Sequence, residues 1–138
     1  ASSGGKFGDK DAVALDVLEE VGFERDSSVP YKTASVLPHG YLKRLELGRL
    51  LALKSEVYIL DELFSGLSIA EVTSIIPIIE KILLDGKTVI MVEHRLKELF
   101  RIADKVIVLN HGQKIKEGPP KEILEDEEVK KAYLGVEV

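Results

Sequence analysis

Two short apolar runs, each closing on a pair of ionisable residues and separated by one capped helical stretch, constrain this chain more than any other feature. The first, VYIL (Val57 to Leu60), starts β-branched and aromatic and ends in Asp61-Glu62; the second, TVIMV (Thr88 to Val92), ends in Glu93-His94. Runs of this length and composition, bounded by polar residues, predict buried strands. Between them SIAE (Ser68 to Glu71) is a capping box, in which a hydroxyl and a carboxylate satisfy free amide donors at a helix start. The helix it opens is expected to reach about Gly86, with a kink at Pro77, which has no backbone hydrogen to donate. Strand, helix and strand in this order predict an α/β fold with a largely parallel sheet.

The flanking segments fit the same plan. DAVALDVLEEVGF (Asp11 to Phe23) places Ala14, Leu15, Leu18 and Val21 on one face at helical spacing, with Gly22 as C-cap. After a polar stretch through Ser27, Ser28 and Pro30 comes LPHGY (Leu37 to Tyr41), and then Leu42, Leu45 and Leu50 recur with helical period, so a second helix is expected after a glycine turn. RLKELFRIA (Arg95 to Ala103) predicts a helix, and KVIVLN with QKIKEG, joined around His111-Gly112, predicts a hairpin. Two helical pieces are expected beyond it, one opening at Pro119-Pro120 and one covering Glu127 to Leu134. The helical front reads as a separate lobe, residues 11–54, ahead of a sheet-bearing part, residues 55–138. ASSGG at the start reads as a flexible leader, with residues 1–10 outside the fold and the missing initiator Met agreeing with a cut or processed end.

Composition narrows the function. With 138 residues, 45% of them hydrophobic, the chain suffices for one domain with a real core, or part of one. Nineteen Lys and Arg against 24 Asp and Glu give a net charge of −5, which disfavours nucleic acid as a partner. The absence of cysteine removes disulfides and thiolate metal sites. No apolar run approaches the ~18 residues of a membrane-spanning helix. No internal repeat or low-complexity segment is present.

In a parallel α/β sheet, ligands bind outside the carboxyl ends of the strands, where loops and helix starts gather. Here that rim would carry Asp61, Glu62, Glu93 and His94. Such a set suits phosphoryl chemistry: one carboxylate helps to hold Mg²⁺, another orients or deprotonates water, and a histidine contacts the terminal phosphate. Taken singly these features are ordinary, since strand ends are commonly polar and a histidine after a strand is usually a solvated loop residue. Their order and spacing carry the signal.

Read in series, LPHGYLKRLELGRLLAL (Leu37 to Leu53), VYILDELFSGLS (Val57 to Ser68) and TVIMVEHRL (Thr88 to Leu96) resemble the signature motif and helix, the Walker B strand with its D-loop, and the switch-histidine strand of ABC-type ATPases. The resemblance extends through VIVLNHGQKIKEGPPKEIL to KKAYLG (Lys130 to Gly135), which is similar to ATP-binding subunits for branched-chain amino acid uptake and their close relatives, and covers nearly everything from Asp11 onward. It implies an α/β fold forming the C-terminal part of a P-loop NTPase (RecA-like) core, with a mostly parallel sheet and part of the ABC helical subdomain. By position it makes Asp61 the residue that holds Mg²⁺ through water, Glu62 the general base, and His94 the contact to the γ-phosphate. Ser65, Gly66, Leu67 and Ser68 fall at the D-loop, which crosses to the partner in a head-to-tail dimer of ATP-binding subunits. Leu37, Pro38, His39, Gly40 and Tyr41 fall at the signature, which contacts ATP bound by that partner. The cofactors implied are ATP and Mg²⁺. The partners implied are a second ATP-binding subunit and transmembrane permease subunits, which would hold the protein at the cytoplasmic face of the membrane.

The chain departs from the family pattern at several points. Pro38 and His39 replace the signature's small polar residue and first glycine, removing a hydroxyl and an N–H from a helix start that favours anions. Gly40 keeps close backbone approach open, and His39 offers a donor or, when protonated, a charge. This reads either as tolerated variation or as weakened activation of the partner's site. Leu63 stands where the family usually has proline, which loosens a rigid turn, and Ser68, where the D-loop often ends in Asp or Asn, is accounted for by the capping box. No G-x-x-x-x-G-K-[ST] loop occurs in the 138 residues, and SGGKF (Ser3 to Phe7) lacks the spacing, the hydroxyl after Lys6 and a preceding strand. The chain alone is therefore expected to bind ATP poorly or not at all, and to leave a sheet edge and apolar surface uncovered.

Three functions remain open on these grounds. The first is part of an ABC transporter ATP-binding subunit in which ATP hydrolysis drives import of amino acids. The second is a non-catalytic interaction module that keeps the docking surfaces without turnover. The third is another ABC-type machine: a lipid exporter, whose ending is similar, or a DNA-repair ATPase, which the acidic charge and the lack of a coiled-coil insertion disfavour.

Overall fold

The structure, a computed structural model, describes residues 7–134. The chain divides into two compact units between His94 and Arg95, a different partition from the lobe boundary at residues 54 and 55 expected from the helical front. Residues 1–6 of the expected leader lie outside the described residues, but 7–10 form the first turn of a helix rather than a leader.

The first unit opens with helix α1 (Phe7–Glu20). It ends as its sequence predicts: Gly22 takes φ +87°, and the amides of Gly22 and Phe23 return to the carbonyls of Glu19 and Leu18 at 2.9 Å each, two crossed bonds that satisfy the last free acceptors. Helix α2 (His39–Ala52) begins at His39, so Gly40 lies inside its first turn, and the glycine turn expected there is not formed. The reason is packing: Gly40 is buried, and Gly48, further along α2, lets Val17 of α1 and Val21, just beyond its end, approach its backbone closely. Phe23 meets the ring of Tyr41 edge-on, with centroids 5.1 Å apart.

Arg44 ties three helices together. From α2 its guanidinium donates to the carbonyl of Val21 at 2.8 Å and to the hydroxyl of Ser74, in helix α3 (Ile69–Leu84), at 2.6 Å. The guanidinium lies where a Cβ on Gly22 would sit. Gly22→Ala therefore meets both a left-handed backbone and a displaced arginine, and a loss of about 1–2 kcal/mol is expected, read as a lower urea midpoint at unchanged slope. An unmoved midpoint would contradict this account of the turn.

Strand β1 (Val57–Asp61) pairs in parallel with β2 (Thr88–Val92), with Asp61 opposite Val92, and α3 is the crossover between them. The capping box is formed: Ser68 accepts from the Glu71 amide and the Glu71 carboxylate accepts from the Ser68 amide. The helix runs through Pro77 as one element, with the proline on its exposed side and Val72, Ile75, Ile76, Ile79 and Ile82 buried. Gly86, at φ +76°, closes it.

The expectation of buried strands is corrected by the alternation observed. Tyr58 and Leu60 are buried, but on the opposite face Val57, Ile59, Ile90 and Val92 stay 50%, 67%, 51% and 52% exposed. A short β-branched run has the same composition whether one face or two is covered, so the run by itself does not separate the two arrangements; the expected uncovered apolar surface lies on this face.

In the second unit, helix α4 (Leu96–Ile102) precedes an antiparallel hairpin of β3 (Val106–Asn110) and β4 (Gln113–Gly118). Both turn residues have positive φ, His111 at 46° and Gly112 at 76°, the geometry whose twist matches a two-residue hairpin. Val108 faces Lys116 and Leu109 faces Lys114, so Ile115 is an extra residue, and it packs on a cluster of Val106, Val108, Ile123, Val129, Phe100 and Ala103. Helices α5 (Pro120–Glu125) and α6 (Glu127–Val129) form where expected, and Lys130–Leu134 continue as a π-helical turn. Among the described residues no helix is long and apolar enough to cross a membrane.

Glu117 of β4 accepts from Lys114 at 2.7 Å and pairs with Lys105, and these cations lower its carboxyl from 4.5 to about 2. Because the folded value lies below the unfolded one, the pairs contribute stability above about pH 4.5 and lose it as pH falls toward 2. The thermal midpoint should therefore fall more steeply across that window in the native chain than in Glu117→Gln. Parallel curves would show the pairs to be inert.

Candidate functional site

The parallel register carries both strand ends to one rim, and a tight turn leaves β1 there. Glu62 donates its amide to the carbonyl of Val92 at 2.8 Å and takes φ +50°, a left-handed conformation uncommon for a residue with a Cβ. Its own carbonyl accepts from the Ser65 amide at 3.1 Å, closing the turn. Leu63 and Phe64 inside that turn are both buried, so the turn is anchored by apolar packing at the place where Leu63 was expected to loosen it.

Two carboxylates and an imidazole gather on this turn. Nε2 of His94 lies 2.8 Å from Oε1 of Glu62 and donates to it, joining the segments that follow β1 and β2. Both are largely in solvent, where such a pair adds little to stability; its consequence is the orientation of the Glu62 carboxylate. Glu93 accepts the Phe64 amide at 2.8 Å. Burial pushes the Glu93 carboxyl up, and the nearby Glu62 adds to this, against the opposing pull of the Phe64 amide and His94.

Asp61 is exposed at the end of β1. Among the described residues no three His, Cys, Asp or Glu side chains cluster to form a metal cage. Mg²⁺ retains waters and is typically held by one or two carboxylates together with substrate phosphates. A single carboxylate at the rim fits that donor set, with the remaining positions left to water and phosphate.

The other expected site residues form a second cluster at the starts of α2 and α3. Pro38 precedes α2 without a side-chain cap, and its carbonyl accepts from Tyr41 and Leu42. His39 reaches the carbonyl of Ser65 at 3.1 Å, and Gly40 lies against the carboxylate of Glu71. Leu37 is half-buried and Tyr41 packs on Phe23. Along 65–68, Gly66 has φ +74°, Leu67 is buried, and Ser68 is committed to the cap, so this stretch offers ligands mainly backbone and the Ser65 hydroxyl. The turn from Glu62 to Ser68 belongs to both clusters.

Glu93 and Glu71 take part in these contacts although the family resemblance assigns them no role. Glu93 ends its strand just as Glu62 ends β1, a signal present in the sequence. Glu71 was legible only as a cap.

The fold has a defined counterpart. The structure superposes on the ATP-binding cassette MJ1267 of an ABC transporter in its ADP conformation with a TM-score of 0.79 and 27% identity, covering 96% of this chain and 52% of that one. The chain is 32% identical over 119 residues to the high-affinity branched-chain amino acid transport ATP-binding protein BraF of Pseudomonas aeruginosa, spanning 86% of this chain and 46% of BraF. It is 34% identical over 124 residues to the lipopolysaccharide export system ATP-binding protein LptB of Escherichia coli K12, spanning 88% of this chain and 49% of LptB. The fold is that of the C-terminal part of an ABC transporter ATP-binding domain. Within that class, residues 113–138 match the family described as branched-chain amino acid ATP-binding cassette transporter. The chain spans about half the length of these two relatives.

Proposed function

We propose that these residues supply the metal-holding and water-activating side of the ATPase site in an ABC transporter ATP-binding subunit. The observation that carries this reading is the Glu62 carboxylate, set by a left-handed turn at the end of β1 and held at 2.8 Å by the imidazole of His94. Glu62 orients and deprotonates the attacking water; His94 fixes the carboxylate and stands beside the position of the terminal phosphate. Asp61 would hold Mg²⁺, which when bound would supply charge neutralisation at the phosphates. Residues 37–41 and 65–68 face a second ATP-binding subunit in a head-to-tail dimer, and permease subunits keep the assembly at the cytoplasmic membrane face.

No phosphate-binding loop occurs in the 138 residues, so the phosphates must be held from outside them. The test is complementation: ATP turnover is measured for the chain alone and after addition of a polypeptide carrying the first half of a relative such as BraF. Turnover only in the mixture supports the proposal; none under any condition supports a non-catalytic docking module instead.

For the transported substrate we favour branched-chain amino acids, because the family match at residues 113–138 bears that description. Lipid export is the second reading, favoured by the likeness to LptB. Co-purification of the complemented subunit with permeases of either type discriminates between them.

A further inference from the structure

The starts of α2 and α3 are joined by two contacts that run in opposite directions. From α2, His39 reaches the carbonyl of Ser65 at 3.1 Å. A carbonyl only accepts, so Nε2 of His39 carries the proton. The ring lies against Gly66, where a Cβ would meet Nε2 at 3.0 Å, and Gly66 at φ +74° already favours glycine. From α3, the Glu71 carboxylate accepts from the amide and hydroxyl of Ser68, both at 2.7 Å, and occupies the space that a Cβ on Gly40 would need. Each helix start thus extends a side chain onto a glycine of the other segment.

This arrangement answers a defect in α2. With Pro38 at its N-cap, the helix has no side-chain acceptor for its first amides, a deficiency that ordinarily lets a first turn fray. Anchoring His39, the first helical residue, to another part of the unit offsets that loss.

We propose that His39 is a positioning residue that, with Glu71, clasps segment 37–41 to turn 65–68 so that the two move as one body. The consequence for catalysis rests on the ATPase reading: the two segments proposed to face the partner's nucleotide keep a fixed spacing. His39 is then committed to Ser65 and is not itself a phosphate donor.

The experiment uses the whole 138-residue chain, labelled with ¹⁵N at histidine. Long-range ¹H–¹⁵N correlation of the His39 ring should show the neutral form protonated at Nε2; protonation at Nδ1 overturns the clasp. Amide exchange at Ser65 and Leu67 should rise about tenfold in His39→Phe, the change expected for loss of one net hydrogen bond, and return toward the native rate in His39→Gln, whose amide restores a donor. Exchange at Ile75 and Ile79, in the middle of α3, should not move. Equal exchange at Ser65 and Leu67 in the native chain and His39→Phe overturns the proposal, as does failure of glutamine to rescue. In the complemented ATPase, His39→Phe should lower kcat without raising KM for ATP, whereas a rise in KM alone identifies His39 as a nucleotide ligand and overturns it. The ring and exchange readouts assume no turnover, so an intact clasp without complemented activity defeats the ATPase reading alone.

Discussion

Glu62→Gln should lower the turnover of the complemented ATPase by about 10²–10⁴-fold, the contribution typical of a positioned general base. The amide keeps the shape of the side chain and can still accept from His94, so the fold and the 2.8 Å contact should survive while the basic oxygen is lost. That separation makes the variant informative: ATP binding by the mixture is expected to persist. His94→Ala should give a smaller loss, because the carboxylate remains but is no longer held. A Glu62→Gln protein that turns over at the native rate would remove Glu62 from the reaction and leave the rim with a structural role only.

The largest effect on stability should come from Phe64→Ala. Phe64 is 0% exposed and sits inside the turn that sets Glu62, with its amide on Glu93. Removing a fully buried ring typically costs about 3–5 kcal/mol, a large part of the total for a domain. Truncation also loosens the turn, so water reaches Glu93 and the factor that raises its carboxyl weakens. Urea unfolding followed by far-UV circular dichroism measures the loss. A change under about 1 kcal/mol would mean that the turn collapses onto another side chain and that Phe64 does not anchor it.

The features legible in the sequence were local. The capping box at Ser68, the Gly22 helix end and the His111-Gly112 hairpin each depend on a few adjacent residues whose chemistry admits little else. The pairing of β1 with β2 could be read from the helix between them, and with it the juxtaposition of the strand ends. Contacts between distant segments were not legible. Nothing in LPHGY announces that His39 will meet Ser65, 26 positions away, or that Gly40 serves the Glu71 carboxylate rather than a turn. Likewise the left-handed backbone of Glu62 arises because its amide is drawn to Val92 while Leu63 and Phe64 are pulled into the core, a balance set by packing. The exposed face of β1 and β2 was legible only in outline, as apolar surface left uncovered; which strand positions carry it was not, because apolar composition reports what a strand can bury, not what is present to cover it.

That one-sided sheet also shapes how the chain should respond to heat and denaturant. Val57, Ile59, Ile90 and Val92 keep at least half of their surface in water when folded, so unfolding adds little new apolar hydration at these positions. Heat capacity of unfolding and denaturant sensitivity both scale with newly exposed surface. A chain built this way has a flatter stability curve than its length suggests, and a shallow unfolding transition here reflects uncovered side chains rather than a loss of cooperativity.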